Sequence, residues 1–361
     1  MPDPRQAHPF FMHEEIHLQP EYLSRLSRRG KDFRDAAGLL EGRRRIFLTG
    51  CGTSFHAAQA GAAAALRLFG ARNRVQAVHA FELTQDSHHL GPGDAAVVMS
   101  HSGETEMVLR FLESAGDAGV LTVLLTGFPS SGAARLASHT VTVGYGEERS
   151  WAHTISYTLS AAAQLMMLGH LAEAEGVAGA GALVEGLAAG LPRLVESCLG
   201  AEDEIAARAR ELADRALWVV ASTGTALPFA PEVALKAAET HYTPAVGLNL
   251  EQVLHGYLPM CDEKSLLIVV APPPRVMWRV DGLLKAAARI GVKRLLVTSQ
   301  PADDRDALVL SHPAAHELLM PIVPLVPLQL LCYYVTVAKS LNPDLIRRDQ
   351  PRYREARACY A

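Results

Sequence analysis

Two pairs of segments in this 361-residue chain repeat one order of elements, and that repetition constrains the fold more than any single motif. Residues 45–49 (Arg-Ile-Phe-Leu-Thr) form the short apolar run of a buried strand. Gly50-Cys51-Gly52-Thr53-Ser54 and an alanine-rich helix former at 57–66 follow it. The same order returns at 217–239, where Leu217-Trp218-Val219-Val220-Ala221 leads through Ser222-Thr223-Gly224-Thr225 into a helical pattern. Strand, loop, helix and strand at 97–125 are echoed by a strand at 266–271, a helix near 280–290 and a strand at 294–298. Strands alternating with helices at this spacing build parallel sheets. The chain is therefore predicted to be α/β, two doubly wound parallel-sheet domains related by an internal repeat. The expected layout is an N-terminal helical arm at 1–38, a first domain at 39–197, a second at 198–345 and a tail at 346–361, with the glycine-rich, charged stretch 172–204 as a largely helical join.

Composition supports this and narrows the partners. A 49% hydrophobic content suffices for two cores, and a net charge of -4 with interspersed signs offers no basic surface for nucleic acid. Cys51, Cys198, Cys261, Cys332 and Cys359 show no CxxC spacing, so neither a metal nor another cofactor is expected, and an odd number of scattered thiols suits the cytoplasm. The first twenty residues are polar and acidic, unlike a secretory leader. The most apolar stretches are broken by Pro324 and Pro327 or by glycines and charges, so no membrane span is expected.

The chemistry concentrates in a few loops. Ser100-His101-Ser102-Gly103-Glu104-Thr105 follows the strand-like run Ala95-Ala96-Val97-Val98-Met99, placing three hydroxyls and a glycine where a strand turns into a helix. A helix start has unpaired N–H groups and a partial positive charge, so it suits a phosphate; Ser and Thr there are equally the preferred caps of an ordinary helix. The loop at 50–54 is a second unit of the same kind, and two such loops can line one crevice of a parallel sheet. Neither contains Lys or Arg, nor a Gly-x-Gly-x-x-Gly fingerprint, so a phosphate ester on a small molecule fits better than a nucleotide. In the second copy the corresponding loop reads Pro272-Pro273-Pro274, which lacks hydroxyls and N–H donors, and the phosphate is therefore assigned to the first domain. Glu232, Lys236 and Glu239 fall at i, i+4 and i+7 on one face of a helix begun by Pro231, a pattern that by itself reads as a solvated salt bridge.

Gly50-Cys51-Gly52-Thr53-Ser54, the Ser-x-Ser-Gly-x-Thr run at 100–105 and Pro231-Glu232-Val233-Ala234-Leu235-Lys236-Ala237-Ala238-Glu239 together resemble the sugar isomerase (SIS) family, in particular the isomerase half of glutamine:fructose-6-phosphate aminotransferases. The resemblance implies that Thr53, Ser54, Ser100, His101, Ser102 and Thr105 bind a phosphosugar. It implies that Glu239 moves a proton between C1 and C2, that Glu232 and Lys236 hold the site together, and that His255 in Leu254-His255-Gly256-Tyr257 opens the sugar ring. In the stretch at 148–158 it implies sugar contacts through the backbone of Trp151 and Ala152, although His153 and Ile155 replace the family's Ser and Lys, and Tyr257 replaces its Pro. A homodimer with shared active sites is also implied. Two departures limit the activity. The chain begins Met1-Pro2, without the N-terminal cysteine of glutamine-using members, so glutamine hydrolysis is not expected. Ala356 stands where the family's Schiff-base lysine would follow Asp349-Gln350-Pro351-Arg352. The expected activity is isomerisation or deamination of a hexose or amino-hexose 6-phosphate; the alternative is a non-catalytic sugar-phosphate sensor.

Overall fold

A computed structural model of the chain describes residues 5–144, 146–271, 276–301 and 307–359; the Pro272–Pro274 loop lies outside the described residues. Ten strands form two sheets. The first contains β1 (Arg45–Thr49), β2 (Val75–Ala77), β3 (Asp94–Met99), β4 (Leu121–Thr126) and β5 (His139–Thr142) in the order β2-β1-β3-β4-β5. The second contains β6 (Leu217–Ser222), β7 (Ala245–Asn249), β8 (Ser265–Val270), β9 (Lys293–Thr298) and β10 (Leu308–Ser311) in the order β7-β6-β8-β9-β10. Every pairing is parallel, and the two orders are the same when each sheet is counted from its own first strand. The doubly wound α/β fold and its internal repeat are thereby established.

The sequence produces this layering through continuous apolar runs and helical stripes. β3 and β8 are buried along their whole lengths, as central strands covered by helices on both faces must be. The helix Glu106–Asp117 buries Val108, Phe111, Leu112 and Ala115, the i, i+3, i+4, i+7 stripe of an amphipathic helix. In the second sheet, the helix Met277–Ile290 repeats the stripe with Val280, Leu283, Leu284 and Ala287.

At the entry of β3, opposite the loop end, the Asp94 carboxylate is fully buried. It pairs with Arg45, its register partner on β1, at 2.7 Å and with Arg44 at 3.0 Å. The Arg45 guanidinium, helped by Arg44 and the Gly91 amide, holds this carboxyl well below the usual carboxylate range. No helix among the described residues is long and apolar enough to cross a membrane.

The chain divides into two compact units. One comprises Gln19–Glu148 and Ile155–Pro192 and carries the first sheet. The other comprises Met1–Leu18, Arg149–Thr154 and Arg193–Ala361 and carries the second. This division is discontinuous in sequence, whereas the pattern suggested continuous spans at 39–197 and 198–345. In the second unit, Arg149 pairs with Glu14 at 2.5 Å, and Asp344 accepts the Phe11 and Met12 amides, linking segments far apart along the chain.

In that unit the helix Phe229–Thr240 lies directly on β7. A Cβ at Gly247 would come within 2.2 Å of the carbonyl carbon of Ala230 and the nitrogen of Pro231, atoms of the helix backbone that cannot rotate away. Gly247→Ala should therefore cost about 1–3 kcal/mol of stability, the usual range for overpacking. An unchanged denaturant midpoint would show that the helix can slide on the strand.

Candidate active site

In the first sheet, β1 connects to β2 on one side and β3 connects to β4 on the other, so the loops leaving β1 and β3 diverge. Open parallel sheets bind ligands outside their strand ends at such a point. The loops at 50–54 and 100–105 occupy it. The first packs tightly against the end of the strand that leads into the second, because a Cβ on Gly50 would lie 2.8 Å from the carbonyl oxygen of Met99, the last residue of β3, and 2.8 Å from the Ser54 Cβ of its own loop.

The hydroxyls of the second loop do not close the helix that follows. Ser100 Oγ accepts the Gly103 amide at 3.2 Å, and Ser102 Oγ accepts the Glu104 amide at 3.2 Å. Thr105, the N-cap of Glu106–Asp117, makes no side-chain bond to the helix. Ordinary capping would spend these oxygens on the helix amides. A hydroxyl that accepts an amide still has its own proton to donate to an anion. Ser100 is buried, Thr105 half-buried and Ser102 exposed. Thr53 and Ser54 are half-buried in the first turn of Thr53–Phe69, whose N-cap Gly52 contributes no side chain.

The loop is braced from behind. Gly103 adopts φ 67°, and a Cβ there would collide with Ser131 Oγ at 2.0 Å. Glu104 accepts the Gly132 amide at 2.7 Å, and the Ala133 amide donates to the Gly103 carbonyl at 2.9 Å. Gly103 is thus required for the approach of the neighbouring helix start, a role its sequence surroundings do not show. His101 has its ring against Gly127, with Phe128 at 5.6 Å between ring centroids, and its carbonyl accepts the Gly127 amide. The structure makes it part of the wall next to β4.

The second unit holds the charged groups. Phe229–Thr240 starts two residues before Pro231, with Pro228 at its N-cap, and carries Glu232, Lys236 and Glu239 on one face. Lys236 Nζ lies 3.5 Å from Glu232 and 2.5 Å from Glu239. Glu232 and Lys236 are fully buried, while the Glu239 side chain is 23% exposed. A solvated salt bridge is therefore excluded. Their surroundings include Cys332, whose thiol burial pushes up to about 12. Glu232 compensates the ammonium from inside, and the ammonium in turn holds the one carboxylate that solvent reaches. This suits a general base, which needs a fixed direction and an accessible lone pair.

His255 lies in a π-helical turn, Val253–Tyr257, with its side chain 72% exposed. Its ion-pair partner is Glu251 at 3.2 Å, and not Glu239. Arg279 grips the same Glu251 and holds its carboxyl below the usual range. The Trp151 amide donates to the Asp344 carbonyl at 3.0 Å, and the buried Ala152 amide donates to Ser150 Oγ at 3.2 Å. These two amides are thus bonded within the chain, so backbone contacts to a sugar from Trp151 and Ala152 would fall to their carbonyl groups. Ala356 is exposed on the helix Pro351–Arg357. Glu148, which opens the same stretch of sequence, has a role that sequence reasoning missed: its carboxylate accepts the Ile155 and Ser156 amides at 3.0 and 3.3 Å and so caps the helix Ile155–Ala174.

Residues 39–174 match the SIS domain family, and this part of the chain is an SIS domain. The chain is 31% identical over 361 residues to a glutamine--fructose-6-phosphate aminotransferase [isomerizing] of Bradyrhizobium diazoefficiens, covering 95% of this chain and 57% of that protein. It is 30% identical over 337 residues to the protein of that name from Pyrococcus horikoshii, covering 92% and 56%. The chain thus spans a little over half the length of these curated relatives. In fold it is similar to the C-terminal domain of glucosamine-fructose-6-phosphate aminotransferase from Francisella tularensis, with a TM-score of 0.86 at 23% identity over 93% of this chain and 98% of that one. It is similar also to tagatose-6-phosphate ketose/aldose isomerase from Escherichia coli, with a TM-score of 0.77 at 18% identity over 94% and 97%.

Lys236→Met should destabilise the chain by about 3–5 kcal/mol, because it leaves Glu232 buried without its counter-charge. The double variant Glu232→Gln/Lys236→Met should recover much of that loss in urea unfolding. A cost below about 1 kcal/mol for the single variant, the value of an exposed pair, would contradict the burial of this charge.

Proposed function

We propose that this chain is a cytoplasmic enzyme that moves a proton between C1 and C2 of a hexose 6-phosphate or amino-hexose 6-phosphate. The observation that carries this reading is Glu239, a solvent-reachable carboxylate held by a buried ammonium whose charge Glu232 already compensates. The hydroxyls of Ser100, Ser102 and Thr105, with Thr53 and Ser54, donate to the phosphate oxygens, and neutral donors at helix starts suffice for an anion.

The chemistry needs one base. With the sugar open, Glu239 takes the proton from C2 of an aldose while the electron pair forms the C1–C2 double bond and O1 takes up a proton to give the enediol. Glu239 then returns a proton to C1 as O2 loses its own, giving the ketose, and the proton held on Glu239 can exchange with solvent between the two steps. For a 2-amino sugar the same transfer gives a C2 imine, which water hydrolyses to the ketose with release of ammonia. His255 relays the proton between ring oxygen and hydroxyl in ring opening. A sensor without catalysis is the second reading, favoured by the outward position of His255 and the internally bonded amides of Trp151 and Ala152.

The two readings separate in deuterated water. The unaltered protein, incubated with a panel of hexose and aminohexose phosphates, should exchange the C1 or C2 hydrogen with solvent. Glu239→Gln should bind the same phosphosugar and exchange nothing. Binding without exchange by the unaltered protein would establish the sensor, and undiminished exchange by the variant would remove Glu239 as the base.

We infer further that the enzyme is a homodimer in which His255 serves the partner's sugar. Its exposure, beside exposed Tyr257 and Met260, supports this. Inactive Glu239→Gln and His255→Ala chains refolded together should then recover roughly a quarter of normal activity, because about half the random dimers are mixed and hold one intact site of two. No recovery in mixed dimers confirmed by mass would assign both residues to one chain.

A further inference from the structure

His13-Glu14-Glu15-Ile16-His17 has the His-Glu-x-x-His spacing that places two imidazoles on one face of a helix, a geometry suited to a metal ion. The structure supplies the helix, Phe11–Ser27, and the third group. Glu202, the first residue of Glu202–Leu212, reaches both rings: His13 Nε2 lies 2.6 Å from Oε1 and His17 Nε2 lies 3.0 Å from Oε2. The three ligand atoms lie within 4.8 Å of one another, and the ring centroids are 4.3 Å apart. Tyr334, on the helix Leu325–Ala338, donates its hydroxyl to Glu202 Oε1 at 2.6 Å and lies 3.5 Å from His13 Nε2. All these groups belong to the second unit.

A second observation concerns protons. His17 Nδ1 lies 2.9 Å from the His13 carbonyl oxygen, which can only accept, so Nδ1 carries hydrogen. Nε2 is then the His17 atom directed at Glu202, 3.0 Å from its Oε2. An Nδ1–H bonded to a backbone carbonyl is also how metal-bound histidines are oriented.

We propose that His13, His17 and Glu202 form a binding site for a divalent transition metal of the Zn²⁺ class, with the fourth position open to water or to the Tyr334 oxygen. The three ligands join the helix Phe11–Ser27 to Glu202–Leu212, Tyr334 ties Leu325–Ala338 to Glu202, and the site's role is to fix these elements. Hydrolysis of the kind associated with the His-Glu-x-x-His spacing is not expected, because the Glu14 carboxylate is occupied by Arg5 at 2.6 Å and Arg149 at 2.5 Å. The mount is held at its start, since the buried Asp344 accepts the Phe11 and Met12 amides at 2.9 and 2.8 Å, the two residues that precede His13 in the first turn of the helix.

The test uses the full chain, stripped with a chelator and titrated with Co²⁺ while the visible absorption is followed. One Co²⁺ should bind per chain with a low-coordinate spectrum and be displaced by one Zn²⁺, and Zn²⁺ should raise the melting temperature. His17→Gln and Glu202→Gln should each weaken binding at least tenfold, since loss of an outer-shell partner alone costs about 10–100-fold. His88→Gln/His89→Gln, which removes a stacked surface pair 3.9 Å apart, should change nothing. Absence of stoichiometric Co²⁺ binding by the unaltered chain would overturn the proposal. So would binding that survives both ligand variants or is lost with His88 and His89. Should a ligand variant fold poorly, X-ray absorption of the Zn²⁺ form decides: two imidazole nitrogens support the site, and an all-oxygen shell refutes it.

Discussion

Strand connections in a parallel sheet are right-handed, and this dictates where the chain can place a ligand. Because β2 lies on one side of β1 while β4 lies beyond β3 on the other, right-handed crossovers send the helices after β1 and β3 to opposite faces. Their first turns separate above the strand ends, with their free N–H groups directed into the gap. Everything attributed to phosphate recognition depends on that divergence. The loops at 50–54 and 100–105 need only short hydroxyl side chains because the helix starts already supply the field. The packing of Gly50 against the end of β3 and the brace behind Gly103 hold the donors in place. The second sheet has the same order and hence the same divergence, but β6 leads into Thr223-Gly224-Thr225, with no second serine-rich loop to match it.

Charge is distributed differently in the two units. At the candidate phosphate loops the donors are neutral hydroxyls and amides, and the Glu104 carboxylate accepts the Gly132 amide of the neighbouring helix start. On the helix Phe229–Thr240 two carboxylates flank one ammonium, and the ammonium and the inner carboxylate are out of water. A buried ion pair contributes little net stability against an apolar replacement, but removing one partner is costly. Such a pair persists for what it positions. Here it fixes Glu239, the group that remains reachable.

Much of the fold was legible from local patterns. The apolar run of β3, the stripe of Glu106–Asp117 and its repetition in Met277–Ile290 each follow from side-chain period alone. The i, i+4, i+7 spacing of Glu232, Lys236 and Glu239 gave the shared face but not its burial, because an exposed and a buried salt bridge have the same spacing. The start of that helix was read at Pro231 and lies at Phe229, since proline is tolerated throughout a first turn. His101 was counted with the hydroxyls of its loop, yet its ring packs on Gly127, a residue brought beside it by the β3–β4 pairing. The discontinuous units were not legible either. The bonds of Arg149 to Glu14 and of Asp344 to Phe11 join positions 135 and 333 residues apart, and no local signal marks such pairs.

The same limit decides what a short motif means. The spacing of His13 and His17 fixes which way two rings point, because a helix returns to one face every four residues. It does not fix what stands opposite them, nor what the intervening glutamate does. Arg5 and Arg149 take up Glu14, and Glu202 with Tyr334 closes the third side, so the surroundings remove the base that hydrolysis needs and leave the ligands. Glu239 shows the converse. Its spacing is that of an ordinary surface pair, and the burial of Lys236 beneath it fixes the direction of its carboxylate. In both places the helix sets direction, and contacts made from distant parts of the chain set the chemistry.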